Sequence, residues 1–384
     1  MIDFDQAHLL AQEAEGPVIG DFLDRLDNEH NDWYVGACLL LPRWFVSTQT
    51  DRAALLAPNV NYLLGDPDTR RLHLTFEGRG RARNELAYLS ESDPLANRKR
   101  FVRNTLRAQV ANGRDILISP WLIHGIGGDE RHLEATVQFA ALASEHKLVE
   151  DRQLLMGLEA TQEIFADKDS RDRMVDEVIE GDAELPIYLR MTIDSPESRR
   201  PFGDPDSLRG LRAAIEAFRD NDRRVILPQS GLCGYLMLPF GASAFGAGRR
   251  ASMERNLRPS DSSGGGGGAP PLNWYFSFDL LGPVLAEELA PLHAAGLPVC
   301  SCPYCDESPP VPGPGFDAAQ AAKHFLYGCA SLAEEVRQAE DPAAVVRNRV
   351  ASAAALWVQI REAGVGLDNR SQENHLAAWS AAIS

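Results

Sequence analysis

The sequence predicts an α/β protein, built as a (β/α)8 TIM-like barrel with a helical carboxyl-terminal addition. Two observations carry this prediction. Short apolar runs of strand length alternate with longer stretches of helical spacing, and eight such runs can be counted along the chain. A third observation disfavours the competing open doubly wound sheet. That fold places a glycine-rich phosphate turn after its first strand, and none follows near residue 42.

The candidate strands are 34–41 (YVGACLLL), 60–65 (VNYLLG), 116–123 (ILISPWLI), 153–158 (QLLMGL), 186–193 (PIYLRMTI), 224–228 (RVILP), 242–248 (ASAFGAG) and 274–281 (WYFSFDLL). Helical spacing falls between several of them, at 133–148, 171–181 and 207–220. Residues 249–273 break the alternation with five successive glycines at 264–268, the composition of a flexible loop. In a barrel this loop follows the seventh strand on the carboxyl-terminal face, where lids and active sites lie. An irregular piece at 306–316 (DESPPVPGPGF) precedes helical patterns at 317–340, 342–363 and 371–383. The expected organisation is a barrel over residues 1–290 and a helical subdomain over 291–384.

The chain has 384 residues, with 38 Lys+Arg against 55 Asp+Glu and a net charge of −17. No apolar run reaches the roughly 20 residues of a membrane span. The start, MIDFDQAHLLAQEAEG, lacks the basic-then-apolar pattern of a secretory signal, so a cytoplasmic location is expected. The net charge argues against strong nonspecific binding to nucleic acid. A local basic face is still available at 79–114, which carries Arg79, Arg81, Arg83, Arg98, Lys99, Arg100, Arg103, Arg107 and Arg114. Arg249, Arg250, Arg255 and Arg258 border the glycine loop.

Three of the six cysteines lie within six residues, in Cys300-Ser-Cys302-Pro-Tyr-Cys305. Turns can bring such near-neighbour thiolates onto one ion, and zinc takes four tetrahedral sulfur or imidazole ligands. His324, in a helical segment, is the expected fourth ligand; His293, Cys329 and Asp306 are its rivals. Four protein ligands leave no open position, so one structural zinc per chain is expected. Asp279 is the only charge in the apolar run 274–281. A carboxylate at the end of a buried strand is costly unless paired or functional, although capping the next helix is also common.

These two features together resemble the tRNA-guanine transglycosylase superfamily. The matching residues are Cys300, Cys302, Cys305 and His324, with Phe278-Asp279-Leu280-Leu281 similar to the segment of that family's nucleophile. Asn374-His375-Leu376 is loosely similar to a motif of the family's tail. The resemblance implies a (β/α)8 barrel with a carboxyl-terminal zinc-binding helical subdomain. It implies a pentosyltransferase that exchanges guanine for a 7-deazaguanine-type base through a covalent aspartyl-glycosyl intermediate, with Asp279 as nucleophile. The partners it implies are nucleic acid (DNA or tRNA), a free deazapurine base and, in many members, a second subunit.

The family's early catalytic Asp motif has no clean copy. The nearest passage, Asp115-Ile-Leu-Ile-Ser119, places Ser119 where that Asp is expected, as a substrate-binding candidate, and leaves Asp115 at the strand's start as the candidate second catalytic acid. The basic stretch that follows the nucleophile in the tRNA enzymes is absent after Asp279. Other substrate-binding candidates at predicted strand ends are Glu159, Asp194 and Gln229, each of which could equally cap a helix. Gly246 and Gly248 would let backbone approach a flat base. Two alternatives stand beside this reading: a hydrolase acting on a small nucleoside, and a non-catalytic zinc-stabilised scaffold.

Overall fold

The computed structural model describes residues 8–12, 35–40, 62–66, 95–111, 113–114, 116–125, 130–193, 203–247, 274–300, 302, 304–305, 317–368, 371 and 373–384, together with Ile2, Phe4 and Phe22. Nine strands form one sheet: β1 (His8–Gln12), β2 (Val35–Leu40), β3 (Tyr62–Asp66), β4 (Ile116–Ile118), β5 (Ile123–His124), β6 (Gln153–Thr161), β7 (Ile187–Thr192), β8 (Val225–Leu227) and β9 (Ala242–Ala247). Every pairing in it is parallel, in the order β4-β3-β2-β1-β9-β8-β7-β6-β5. β4 also pairs with β6, so the series of pairings returns on itself and the sheet curls around an inner face.

Helices alternate with the strands. α1 (Arg98–Ala111) precedes β4, α2 (Arg131–Ser144) links β5 to β6, and α3 (Gln162–Ala166) with α4 (Lys168–Glu180) links β6 to β7. α5 (Pro205–Asp220) and the short α6 (Leu232–Met237) follow β7 and β8. After the sheet come an antiparallel hairpin, β10 (Trp274–Ser277) with β11 (Gly282–Leu285), and then α7 (Leu289–Ala294), α8 (Ala318–Gln338), α9 (Pro342–Glu362) and α10 (Asn374–Ile383). Four of these helices start on an aspartate that accepts from the first-turn backbone: Asp167, Asp204, Asp317 and Asp341. Each such cap contributes about 1 kcal/mol. Among the described residues no helix is long and apolar enough to cross a membrane.

Strand periodicity separates two cores. Leu10, Ile116, Ile118, Leu155, Tyr188, Ile226 and Ala244 fill the inside of the curl. The alternate residues, such as Leu9, Met156, Leu158, Leu189 and Val225, face the helices. That outer core runs without a break into α8, α9 and α10 through Phe325, Leu326, Val350 and Leu376.

Two strand expectations are corrected. Residues 274–281 do not join the parallel sheet, because Ser277 turns the chain back into β11. The strand between β2 and β9 is instead β1, whose apolar stretch of Leu9, Leu10 and Ala11 is too short to stand out in the sequence. The run 116–123 is also two strands. Ile118 pairs with Leu155 and Ile123 with Glu159, so five steps on one strand meet four on its partner, a bulge of one residue. Pro120 sits in that interval and cannot donate to a ladder. The bulge turns Trp121 over β6, where a Cβ on Gly157 would stand 2.2 Å from the indole.

The hairpin packs as tightly on α8. A Cβ on Gly328 would lie 2.0 Å from the Phe278 ring, which is itself wedged between Phe276, Phe325 and His324. Gly328→Ala should therefore cost about 1–3 kcal/mol of overpacking. Urea denaturation reads this directly, and an unchanged midpoint would contradict the packing described.

Candidate metal centre and polar layer at the strand ends

Cys300, Cys302, Cys305 and His324 converge, with one ligand atom from each lying within 4.8 Å of all the others. A turn donates Cys305 N–H to the Cys302 carbonyl at 3.0 Å and brings those two thiols together. His324 comes from the second turn of α8 and sets Nδ1 3.4 Å from the sulfurs of both Cys302 and Cys305. Its other nitrogen, Nε2, lies 2.8 Å from the Phe276 carbonyl of β10. Donation there leaves the Nδ1 lone pair facing the sulfurs, the arrangement that orients metal-bound imidazoles. The Tyr275 ring stacks on His324 at 4.6 Å, and its hydroxyl lies 2.6 Å from Cys305 Sγ.

This cluster can hold a metal ion. A tetrahedral ion with sulfur at 2.3 Å requires ligand separations of about 3.8 Å, close to those observed. Hydrogen bonds from Cys302 and Cys305 hold the Cys300 thiol far below its ordinary range, and the same contacts push Cys305 up. Burial alone would lower His324, but the neighbouring Cys300 and Cys302 outweigh it and raise the imidazole to about 9. Of the rival ligands, Cys329 is buried elsewhere in α8 and His293 lies exposed on α7, both apart from the cluster. Asp306 falls outside the described residues.

Asp279 does not end a strand of the sheet. It lies in the hairpin turn, whose Leu281 takes φ +45. Trp357 donates to the Leu280 carbonyl at 3.0 Å, and His375 Nε2 meets the Leu281 carbonyl at 2.8 Å. The charge of Asp279 acts on Arg349 of α9, whose guanidinium donates to Glu335 at 2.6 Å. The turn is thus tied to both α9 and α10, and the motif around His375 serves it.

A separate polar layer fills the carboxyl end of the curled sheet. Glu159 is fully buried and accepts from Trp121 Nε1 at 2.8 Å and from the Thr192 hydroxyl. Arg190, equally buried, lies 3.9 Å from Glu159 and donates to Gln229 Oε1. Its guanidinium also stands 5.9 Å from the Trp121 ring. Ser119 accepts from Gly157 N–H at 3.1 Å, just below this layer, and Gly246 occupies β9 beside it. The structure therefore brings together Ser119, Glu159, Gln229 and Gly246. Asp115, Asp194, Gly248, the loop 249–273 and Arg79, Arg81 and Arg83 lie outside the described residues. Sequence reasoning missed Arg190, Thr192 and Trp121. Arg190 carried a usable signal as the only charge in PIYLRMTI, the same signal that singled out Asp279.

α1 ends at Ala111 near the start of β4, so its first turn, with Arg98, Lys99 and Arg100, stands toward the carboxyl ends of the strands. The helix sequence RKRFVRNTLRAQVA contains no acid, and Arg98 faces Glu134 at 3.7 Å.

No family model matches the chain, and no curated protein matches it. Among solved structures, one provisionally assigned as a fructose-1,6-biphosphate aldolase from Coccidioides immitis is similar at 8% identity and a TM-score of 0.35. The similarity covers 86% of this chain and 88% of that one and is too low to assign a fold or an activity.

Elemental analysis should find about one metal ion per chain, and Cys302→Ser should release it and lower stability. Full metal retention by that variant would remove Cys302 as a ligand. In metal-free protein the sign of the pH dependence follows from proton counts. Between 6.5 and about 9 the folded His324 holds one proton more than the unfolded chain, and Cys300 one fewer, so their effects cancel. Below 6.5 the unfolded histidine also protonates, and stability falls with acid. Above 9 the unfolded Cys305 ionises before the folded one, and stability falls again. Urea midpoints of chelator-treated protein should show this plateau; a steady slope from 6.5 to 9 would contradict it.

Proposed function

We propose that the chain is a zinc-stabilised (β/α)8 barrel of the transglycosylase type, a pentosyltransferase that exchanges a guanine-type base in DNA or tRNA for a 7-deazaguanine-type base. The observation that carries this reading is the convergence of Cys300, Cys302, Cys305 and His324. These are the residues on which the family resemblance rests, and they converge beside a curled parallel sheet. The donor set suits zinc, and with four protein ligands the ion would be structural. It would tie the Cys300–Cys305 turn to α8.

The carboxyl ends of the strands are where this fold places its chemistry. Glu159 is the described carboxylate within that layer, and it takes the catalytic role in this reading. Its oxygen would bond to the anomeric carbon as the bond to the departing base breaks, and the second acid would give that base its proton. The incoming base reverses the sequence. Asp279, whose charge acts on Arg349 from the hairpin turn, takes a structural role in this reading. Asp115 stays the candidate second acid on the resemblance alone.

A second reading, a small nucleoside as substrate, is favoured by the net charge of −17. The position of α1 favours the polymer.

Exchange of labelled guanine on tRNA, duplex DNA and free nucleoside separates these substrates. Glu159→Gln should abolish exchange and any covalent adduct on whichever substrate is active. Asp279→Asn should keep exchange while weakening the hairpin's hold on α9, which lowers the thermal midpoint. The opposite pattern would return the nucleophile's role to Asp279, and exchange on none of the three substrates would end the transglycosylase reading.

A further inference from the structure

We propose that Arg190 is the positioning residue of this site, setting the orientation of both Glu159 and Gln229; the role rests on the base-exchange reading above. Arg190 projects from the middle of β7 into the sheet's interior and is enclosed on all sides. It spans the layer, with Nε 3.9 Å from Glu159 and Nη2 donating to Gln229 Oε1.

A guanidinium offers donors in a fixed planar fork and has no acceptor. The Gln229 amide must therefore turn its oxygen toward Arg190, and its NH2 group points the other way. The backbone here is also constrained. Gln229 takes φ +50 and Gly231 φ +53, while Gly231 N–H donates to the Gly246 carbonyl at 2.9 Å. Ser230 donates to the Leu227 carbonyl at 2.7 Å. The two residues after Gln229 are thus anchored to β8 and β9, and Gln229 itself to β7 by Arg190.

The Trp121 ring limits the guanidinium from a third side, while its N–H fixes one oxygen of Glu159. Thr192 fixes the other oxygen. Glu159 and Gln229 are then held in one fixed relation by the guanidinium between them. Arg190 touches no substrate in this arrangement and acts through its two partners.

The test compares Arg190→Lys and Arg190→Met with the wild type. Two readouts are taken: kcat and KM for labelled-guanine exchange, and the Gln229 side-chain amide resonances in nitrogen-15-labelled protein. The proposal expects Arg190→Met to lose about a hundredfold in kcat/KM, as misplaced catalytic groups do. It also expects the Gln229 amide to lose its distinct shifts and order. Arg190→Lys should recover only part, because an ammonium restores charge and not the fork. Unchanged Gln229 resonances, or full recovery by Arg190→Lys, would overturn the proposal. If Arg190→Met fails to fold, the double variant Glu159→Gln/Arg190→Met removes both buried charges and still removes the Gln229 partner, so the amide readout decides. If the wild type exchanges no base, the reading of the preceding subsection falls. The amide readout then still decides whether Arg190 fixes Gln229.

Discussion

Two opposite charges buried inside the curl of the sheet constrain much of what surrounds them. Removing a carboxylate or a guanidinium from water costs several kcal/mol per ion even after the protein relaxes. Glu159 and Arg190 are both fully enclosed, so the strands around them must supply partners. Thr192 on β7, Trp121 from the β4–β5 bulge and Gln229 beyond β8 supply them. The bulge, the bare Gly157 beneath the indole and the left-handed backbone at Gln229 are all consequences of holding that layer. Apolar residues of similar volume would fill the space at less cost. The charged layer stands at the strand ends, where the interior core of Leu155, Tyr188 and Ile226 stops.

The candidate metal centre sits against the outer core. The Phe276 carbonyl couples β10 to His324, and His324 belongs to the helix that packs along β1. β1 joins β2 to β9. Ligation at Cys300, Cys302 and Cys305 therefore acts on the hairpin, on α8 and, through α8, on the strand that links the two halves of the sheet. The metal cluster packs on the outer core, whereas the polar layer lies on the inward face of the sheet.

Much of this was legible in the sequence because its signals were local. The CxCxxC spacing with a helical His324 identified the cluster, and seven of the sheet's strand positions stood out as apolar runs. The three carboxyl-terminal helices were readable from helical spacing, and their first turns are held by Asp317 and Asp341 at α8 and α9. The failures were non-local. WYFSFDLL reads as a buried strand, and it is buried, but pairing partners decide which sheet a strand enters, and β11 lies only four residues on. The lone-charge argument was sound at both Asp279 and Arg190. At Asp279 the charge acts on Arg349, 70 residues away along the chain, which no local pattern encodes. Arg190 went unread because its partners come from elsewhere in the chain: Glu159 lies opposite it in the parallel register of β6, and Gln229 lies just beyond β8.

The net charge of −17 bears on partners less than its size suggests. Exposed charges in physiological salt are screened over about 8 Å, much less than the breadth of a chain this long. What an approaching anion meets is the local sign. α1 presents Arg98, Lys99, Arg100, Arg103 and Arg107 with no acid in its own sequence. Cations in its first turn oppose the helix dipole, so they do not serve the helix itself. α4, by contrast, offsets Lys168 and Arg171 with Asp172, and α5 offsets Arg209 with Asp206. α1 differs from these two helices in having no acid of its own, although Arg98 meets Glu134 of α2, and its first turn lies toward the strand ends that hold Glu159 and Arg190.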